Sequence, residues 1–349
     1  KKFSNFNQSN RMKNILVTGG AGYIGSHTVV ELVANGFEPI ILDNFFNAST
    51  SVIERINELC GKDLTVITGD CSDEALVASI FKTYAIQGVI HFAAHKAVGE
   101  SVDNPLMYYN NNLNGLITVL KTMEQFGVRQ FVFSSSCTVY GVPKNGTQVS
   151  EETPLETPNS PYGWTKYMGE QIIKDVAKTG SIDAVLLRYF NPIGAHKSGI
   201  IGELPQGVPN NIVPYITQTA AGIREQLTVF GSDYPTEDGT CIRDYIHVCD
   251  LALAHIKALA VVQANEPAIF NVGTGKGTSV IELIAAFEKA TGNKINWQFG
   301  PRRAGDVTAI FARADKAKKE LNWEAKFSVE EAVSDAWKWE KFRVAKGLE

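Results

Sequence analysis

The chain has 349 residues, with 33 Lys or Arg, 37 Asp or Glu and a formal net charge of −4. This length allows one large α/β domain, or a large and a small domain that share a cleft. A weakly negative chain without blocks of like charge is not typical of a general nucleic-acid or membrane-surface binder, so we expect neither partner. No apolar run approaches the ~18 residues of a membrane span.

Five cysteines, at positions 60, 71, 137, 241 and 249, form no CxxC pair. An odd number of thiols without that spacing favours a reduced, cytoplasmic protein without disulfides and without a metal site. The first eleven residues are polar and precede Met12. We interpret residues 1–11 as an N-terminal extension rather than a signal peptide.

Short apolar runs alternate with amphipathic segments from Asn14 onwards. The runs are NILVTG, PIILD, LTVITGD, GVIHFAA, QFVFSSS and AVLLRYF, and the segments between them include HTVVELVANG and VIERINELC. Apolar strands separated by helices predict a parallel sheet that is covered on both faces. The fold class is therefore α/β, with a doubly wound parallel sheet of the Rossmann type.

This regularity ends after RYFNP, where a segment rich in Gly, Pro and Asn follows. Beyond it we predict a helix near residues 212–222, a strand at LTVFG, a helix that Asp250 caps, and a strand at AIFNVG. We interpret residues 12–191 as a large dinucleotide-binding domain and residues 192–349 mainly as a smaller α/β substrate-binding domain. Elements near residues 242–275 are candidates for a return to the large domain.

The loop TGGAGYIG follows the first predicted strand and leads into a helix. Gly19, Gly22 and Gly25 permit a tight bend, close approach of a pyrophosphate and close packing of the helix on the strand. Asp43 ends the second strand about 20 residues further on, where a carboxylate accepts hydrogen bonds from a ribose. The same carboxylate would repel a 2′-phosphate, so the pattern predicts NAD rather than NADP.

The segment SPYGWTK places Tyr162 and Lys166 one turn apart on one face of a predicted helix. Alone, this spacing is also compatible with an ordinary helix surface. Together with the GxxGxxG loop and the serines at 134–136, it resembles the short-chain dehydrogenase/reductase superfamily, whose catalytic motif is YxxxK. The resemblance implies a triad of Ser136, Tyr162 and Lys166 that oxidises an alcohol to a ketone.

An ordinary tyrosine has a pKa of about 10, which is too high for an efficient base near neutral pH. We expect the Lys166 ammonium and the positive nicotinamide of NAD⁺ to lower the pKa of Tyr162. Ser136 would hydrogen-bond the substrate hydroxyl and orient it for proton removal.

Further blocks, among them LDNFFN, VIHFAAHKAVGESV, SSSCTVYG, LRYFNPIGAH and RRAGD, occur in order from Met12 almost to the C-terminus. They resemble the UDP-galactose 4-epimerase family of extended short-chain dehydrogenases/reductases. The resemblance implies an isomerase of galactose metabolism that interconverts UDP-glucose and UDP-galactose at C4 through a 4-keto intermediate. The UDP portion would stay anchored while the keto sugar turns its other face to the cofactor.

The resemblance also assigns residues. For NAD it implies Gly19, Gly22, Tyr23, Ile24, Gly25, Asp43, Asn44, Asn47, Asp70, Cys71, Phe92, Ala93, Ala94, Lys96, Asn111, Tyr162, Lys166 and Phe190. For the UDP-sugar it implies Ser136, Asn191, Asn211, Ile212, Thr228, Phe230, Arg243, Arg303, Asp306 and Ile310. Two arginines suit a diphosphate because guanidinium groups bind anionic oxygens in a planar fork.

The resemblance further implies a homodimer in which helices near residues 104–126 and 161–178 pair across a twofold axis. Apolar residues available there, for core or interface, are Leu116, Ile117, Leu120, Ile172 and Ile173.

In this family the residue at Ile310 lines the sugar pocket, and a smaller residue than Tyr goes with acceptance of N-acetylated sugars. Ile310 is intermediate in size, which predicts weaker activity on UDP-N-acetylhexosamines, although it is equally compatible with simple packing.

Two other functions stay open. A nucleotide-sugar 4,6-dehydratase shares the fold, NAD and the 4-keto step, but it resembles STDEVYG where this chain has SSCTVYG. Cys137 and Thr138 thus replace the two acids of the elimination. A non-catalytic, NAD-sensing protein of the same fold commonly lacks the Tyr/Lys pair that this chain has.

Overall fold

The computed structural model describes residues 13–144, 147–303 and 306–348. The proposed extension, residues 1–11, lies outside the described residues. The first part of the chain forms β1 (Lys13–Thr18), α1 (Tyr23–Ala34), β2 (Phe37–Asp43), α2 (Ser51–Cys60), β3 (Thr65–Thr68), α3 (Glu74–Tyr84), β4 (Gly88–His91), α4 (Val98–Asp103), α5 (Pro105–Phe126), β5 (Gln130–Ser134), β6 (Gln148–Val149), α6 (Pro161–Lys178), β7 (Asp183–Tyr189) and β8 (Asn191–Ile193). The second part forms α7 (Ile212–Ala220), β9 (Leu227–Phe230), β10 (Ile242–Arg243), β11 (Tyr245–His247), α8 (Val248–Ala258), β12 (Ala268–Val272), β13 (Thr278–Ser279), α9 (Val280–Thr291), β14 (Trp297–Gly300), β15 (Ala309–Ala312) and α10 (Val329–Lys346).

Seven strands form the central sheet in the order β12-β7-β5-β4-β1-β2-β3. Every neighbouring pair in it is parallel. The predicted doubly wound α/β fold is confirmed. The strand order reverses between β1 and β4, and in such sheets ligands bind outside the carboxyl ends of the strands at this switch point.

Alternate residues of each strand pack into two cores on opposite faces of the sheet, as the two-residue period of a strand requires. On β1, Ile15 and Val17 join α1 and α8 in one core. Leu16, between them, joins α3, α5 and α6 in the other. Both faces are covered, which explains why the strands are continuously apolar in sequence.

A third core lies among α7, α9, α10 and β9. Short strands accompany it as a sheet in the order β13-β10-β15-β6 and as the pairs β14-β9 and β11-β8. The strand β12 instead pairs with β7 in the central sheet, and α8, which precedes it, packs on that sheet's core through Leu251 and Ala254. No helix within the described residues has the length and hydropathy of a membrane span.

The predicted capping role of Asp250 is wrong. The helix α8 begins at Val248, and His247 caps it by accepting the backbone N–H of Cys249 on its ring nitrogen. Asp250 lies in the first turn, where its buried carboxylate accepts the backbone N–H groups of Lys326 and Phe327 at 2.8 and 3.0 Å. It therefore ties a distant segment to α8, a contact that a local sequence pattern cannot show.

Candidate active site

The glycine loop bends sharply between β1 and α1. Gly19 has a φ of +70°, and a Cβ there would lie 2.8 Å from the backbone nitrogen of Ala93. A Cβ on Gly25 would overlap the carbonyl oxygen of Gly19. Gly22 is the N-cap of α1 and supplies no side chain to the first N–H groups of the helix. These groups are available to an anion, which fits a dinucleotide pyrophosphate.

Asp43 stands at the end of β2 beside this loop. Its carboxylate accepts the backbone N–H groups of Ala21 at 2.9 Å and Phe45 at 2.8 Å. Burial raises the pKa of Asp43, and the two N–H groups act against this rise. Asn44 donates to Asp70 at 2.9 Å, which joins the ends of two neighbouring strands. The remaining carboxylate lone pairs fit the hydroxyl groups of a ribose.

One cavity of about 540 Å³ begins at the glycine loop and extends to Tyr162 and Lys166. Predicted cofactor residues that line it are Gly19, Gly22, Tyr23, Ile24, Gly25, Asp43, Asn44, Asn47, Asp70, Cys71, Phe92, Ala93, Ala94, Lys96, Asn111, Tyr162 and Lys166. Phe190 does not line it and instead packs in a small core with Val139 and Tyr140. The cavity volume is typical of a site for a cofactor or ligand.

Tyr162 and Lys166 lie in the first turns of α6. Ser160 caps this helix by accepting the N–H of Gly163 at 3.1 Å, and Pro161 takes its first position. Lys166 is buried, and its ammonium donates to the Ser134 carbonyl at 2.7 Å and lies 4.9 Å from the centre of the Phe133 ring. Burial lowers the pKa of Lys166 to about 8, whereas Glu170 raises it.

The chain's own groups raise the pKa of Tyr162, and its expected lowering by Lys166 together with NAD⁺ stays a prediction. Burial raises this pKa well above its ordinary value of 10.0, and Tyr189 raises it further. A hydrogen bond with Ser136 acts in the opposite direction. The ammonium of Lys166 donates to the Ser134 carbonyl, and an oxidised nicotinamide would add a second positive charge that favours the phenolate.

Ser136 is buried just beyond the end of β5. Its Oγ accepts the backbone N–H of Thr138 at 3.2 Å and caps a single 3₁₀ turn at Cys137–Tyr140. Because the Oγ accepts this bond, its own proton is free to be donated towards Tyr162 or a substrate hydroxyl.

Among the described residues, none of the predicted UDP-sugar residues lines this cavity, although Ser136 and Asn211 interact with residues that do. Thr228 and Phe230 project from the same face of β9, opposite the buried Leu227 and Val229. Phe230 is 45% exposed, which leaves a ring face available to a base.

Arg243 and Arg303 converge on Asp306. The nearest guanidinium nitrogens lie 3.3 and 2.8 Å from Oδ1 of Asp306. Arg243 also donates to the carbonyl of Val307 at 2.7 Å. Two cations around one carboxylate leave a net positive charge, which suits a diphosphate.

Glu203 links the cavity to the predicted sugar side. Its Oε1 accepts from Lys96 at 3.0 Å and from Asn211 at 2.6 Å. Asn211 directly precedes α7 without a capping hydrogen bond from its side chain, and Ile212, the first residue of α7, packs on the third core. Asn191 opens β8, and its backbone N–H donates to Asp244 at 2.9 Å.

Ile310 lies on β15, paired in register with Arg243 of β10. It is only 5% exposed and packs with Val139, Tyr140 and Phe190. These neighbours follow Ser136 and Tyr189 in the chain, so Ile310 is close to the catalytic segments without lining the cavity.

Sequence reasoning missed Glu203 and Tyr189, both of which line the cavity. Glu203 lies in a Gly/Pro-rich segment without periodicity, where a single acidic residue gives no signal. Tyr189 is the last residue of β7, and its position at the carboxyl end of a parallel strand could have indicated a site residue.

The sequence profile described as GDP-mannose 4,6 dehydratase matches residues 16–336. The UDP-glucose 4-epimerase of Bacillus subtilis (strain 168) is 52% identical over 332 residues, which cover 95% of this chain and 97% of that protein. The UDP-glucose 4-epimerase of Erwinia amylovora is 51% identical over 94% of this chain and 97% of that protein.

Two solved structures resemble the fold closely. The UDP-glucose 4-epimerase from Stenotrophomonas maltophila, with bound NAD and formylated UDP-arabinopyranose, has a TM-score of 0.93 and 45% identity over 96% of this chain and 99% of that one. The UDP-glucose 4-epimerase from Bifidobacterium longum, in complex with NAD⁺ and UDP, has a TM-score of 0.92 and 44% identity over 95% and 99%. The chain belongs to the UDP-glucose 4-epimerase family of the extended short-chain dehydrogenases/reductases.

Proposed function

We propose that this protein catalyses the reversible, NAD-dependent epimerisation of UDP-glucose and UDP-galactose at C4 through a 4-keto intermediate. The observation that carries the proposal is the cavity that joins the glycine loop to Tyr162 and Lys166, beside which Ser136 acts to lower the pKa of Tyr162. When bound in that cavity, NAD supplies a reversible oxidant for C4.

The chain's own residues handle the proton. Tyr162 takes the proton of the C4 hydroxyl as the alcohol becomes a ketone, and returns it when the ketone is reduced. Ser136 donates a hydrogen bond to the same oxygen and orients it. Lys166, held by the Ser134 carbonyl, places a positive charge beside the phenol and the cofactor ribose. Burial excludes water from the reacting atoms.

The UDP portion is held by the other group of residues. Arg243 and Arg303 neutralise the diphosphate, with Asp306 near the ribose, and the exposed face of β9 at Thr228 and Phe230 receives the uracil. Asn191 and Asn211 hold the sugar-diphosphate region. Contacts concentrated on the UDP portion would leave the hexose free to present either face of C4.

The dehydratase alternative is disfavoured by the segment after Ser136. Burial raises the pKa of the Cys137 thiol to about 12, so this side chain is neutral and a poor acid or base near neutral pH. Thr138 does not ionise in this range. The elimination of water thus lacks its acid/base pair at these two positions.

The direct test is to incubate the purified holoenzyme with UDP-glucose and to separate the products by chromatography. We expect UDP-galactose to form until equilibrium is reached, without net reduction of NAD. A 4-keto-6-deoxy product would instead establish a dehydratase, and an unchanged substrate would contradict both activities.

A homodimer is part of the proposal. Val102 and Leu106, on α4 and α5, are 59% and 81% exposed, which is unusual for two apolar side chains so close in the chain. Of the apolar residues named from sequence, Leu116, Leu120 and Ile173 belong to the core. The interface would therefore use the outer faces of α5 and α6. A strictly monomeric mass at micromolar concentration would contradict this arrangement.

A further inference from the structure

Three consecutive serines stand where β5 ends, with Ser134 as its last residue and Ser135 and Ser136 after it. The proposed reaction uses two of the three. Ser136 contributes its hydroxyl, and Ser134 contributes the carbonyl that holds Lys166. Ser135 lies between them, is completely buried, and points its hydroxyl away from the cavity to donate to Glu170 at 2.7 Å.

Glu170 is itself held rigidly. Arg188 donates to both of its carboxylate oxygens, from Nε at 2.8 Å and from Nη2 at 2.6 Å. A third guanidinium nitrogen of Arg188 donates to the hydroxyl of Tyr140 at 3.1 Å. The side chains of Glu170 and Arg188 are 1% and 2% exposed. A buried two-point pair of this kind has one geometry and resists displacement.

The backbone at Ser135 needs such an anchor. The ladder between β5 and β7 ends with Ser134 opposite Leu187, so Ser135 and Ser136 lie beyond the sheet. The N–H of Ser135 donates to the carbonyl of Phe133, two residues earlier in the chain, at 3.0 Å. The contact from its hydroxyl to Glu170, on the same helix as Tyr162 and Lys166, fixes this turn relative to α6.

We propose that Ser135, held by the Glu170–Arg188 pair, is a positioning residue that aims the Ser134 carbonyl at Lys166 and the Ser136 hydroxyl at Tyr162. The inference rests on the proposed function. A small displacement of groups at the reacting atoms is costly, since a misplacement of about 1 Å can reduce a rate on the order of a hundredfold.

The test compares Ser135→Ala with Thr122→Val in the holoenzyme. Thr122 is a matched control, because it is buried on α5 and its hydroxyl donates at 2.9 Å to the carbonyl of Thr118. We expect Ser135→Ala to lower kcat by about tenfold or more, with the KM for UDP-glucose and the NAD content within about twofold of wild type. Thr122→Val should retain kcat within about twofold.

A wild-type kcat in Ser135→Ala, or an equal loss in the control, would overturn the inference. If Ser135→Ala fails to fold, Ser135→Cys decides by the same criteria, since it preserves the volume and donates only weakly. A wild-type protein that oxidises UDP-glucose without forming UDP-galactose would refute the proposed function. In that case, the rate of NADH formation in Ser135→Ala, divided by the rate in wild type and followed by absorbance, would still test the positioning role of Ser135.

Glu170→Gln adds a readout that a purely structural role would not change. The groups that act electrostatically on or beside Lys166 are Glu170 on its own helix and the rings of His91 and His255, whose pKa values burial lowers to about 3 and about 4. Both rings are thus neutral near pH 7. Loss of the Glu170 charge lowers the pKa of Lys166, so the alkaline limb of the kcat profile should move to lower pH. An unmoved limb would contradict coupling between Glu170 and the site.

Discussion

The cofactor side and the UDP-sugar side of this site are built in different ways. Many of the predicted cofactor residues stand at or just after the carboxyl ends of neighbouring strands in one parallel sheet, and all of them except Phe190 line one cavity. The predicted UDP-sugar residues come mainly from short strands and loops, and two of them, Arg243 and Arg303, already share Asp306. The backbone of the sheet and its loops fixes the positions of the predicted cofactor residues. The predicted UDP-sugar residues are organised by charge pairs, which must be rearranged or shared when a diphosphate binds.

This difference matches the chemistry. A cofactor that stays in place through oxidation and reduction needs a rigid cradle, and a sheet edge with a glycine loop provides one. A substrate that must turn its hexose over needs firm contacts only at the UDP end. Substitutions on the two sides should therefore separate turnover, cofactor affinity and substrate affinity from one another.

The largest effect is expected for Tyr162→Phe, which keeps the ring and removes the proton acceptor. We expect kcat to fall by roughly 10²–10⁴-fold, while NAD content stays near that of wild type. Product formation from UDP-glucose and the NAD released on denaturation are the two measurements. Tyr167→Phe, on the same helix and outside the cavity, is the control. Equal rates in Tyr162→Phe and wild type would exclude Tyr162 as the base.

Lys166→Met should damage both turnover and cofactor binding, because the buried ammonium acts on the phenol and on the cofactor side of the cavity. We expect kcat to fall on the order of a hundredfold and the Kd for NAD to rise. Calorimetric titration of the apoprotein with NAD gives the second quantity. An unchanged affinity for NAD would remove the binding role of Lys166 and leave only the catalytic one.

Arg243→Met tests whether the predicted UDP-sugar residues control the KM for the substrate independently of NAD binding. Charge-assisted hydrogen bonds contribute about 1.5–3 kcal/mol each, so the KM for UDP-glucose should rise about 10–100-fold without loss of NAD. Arg302→Met is a matched control, since Arg302 pairs with Asp233 instead of Asp306. If both variants raise KM equally, the effect reflects general charge and not a specific site.

Gly25→Ala tests the cofactor side. The added Cβ would overlap the Gly19 carbonyl, so the glycine loop must shift away from its position at the N-terminus of α1. We expect the Kd for NAD to rise about tenfold, which corresponds to about 1.4 kcal/mol. Gly99→Ala is the control, because no atom lies within 4 Å of a Cβ at that position. Unchanged NAD affinity in Gly25→Ala would show that the loop tolerates the shift.

The smallest effect concerns Ile310. We propose efficient interconversion of the two UDP-hexoses and weaker activity on UDP-N-acetylglucosamine. Ile310→Tyr should suppress only the N-acetyl activity and Ile310→Cys should raise it, each by less than about tenfold, because small differences in pocket size carry modest discrimination. The ratio of the two rates is the measurement. Three equal ratios would mean that Ile310 only packs the core formed with Val139 and Tyr140.

Local signals in the sequence predicted the central sheet, the glycine loop and the position of Asp43, whereas most other cofactor residues came only from the family resemblance. Apolar strands, the glycine spacing and the Asp43 position are repeated, short-range patterns that follow directly from strand and helix geometry. The helix α6 was predicted with its observed bounds because Ser160 and Pro161 mark its start.

Long-range contacts could not be predicted from the sequence. Three contacts join segments that are separated in the chain. Asp250 accepts from residues 326 and 327, Glu203 bridges Lys96 and Asn211, and Glu170 pairs with Arg188. The environment of Tyr162 likewise was not evident from the sequence, and the lowering of its pKa by Lys166 together with NAD⁺ stays a prediction. Burial depends on the whole fold, and here it outweighs the hydrogen bond from Ser136.

The most direct test of the two-sided site is to measure the Kd for NAD and the KM for UDP-glucose in both Gly25→Ala and Arg243→Met. We predict a crossover, in which Gly25→Ala weakens NAD binding with little change in KM, and Arg243→Met raises KM with little change in NAD affinity. Equal changes of both quantities in both variants would contradict the separation of the cofactor and UDP-sugar sides.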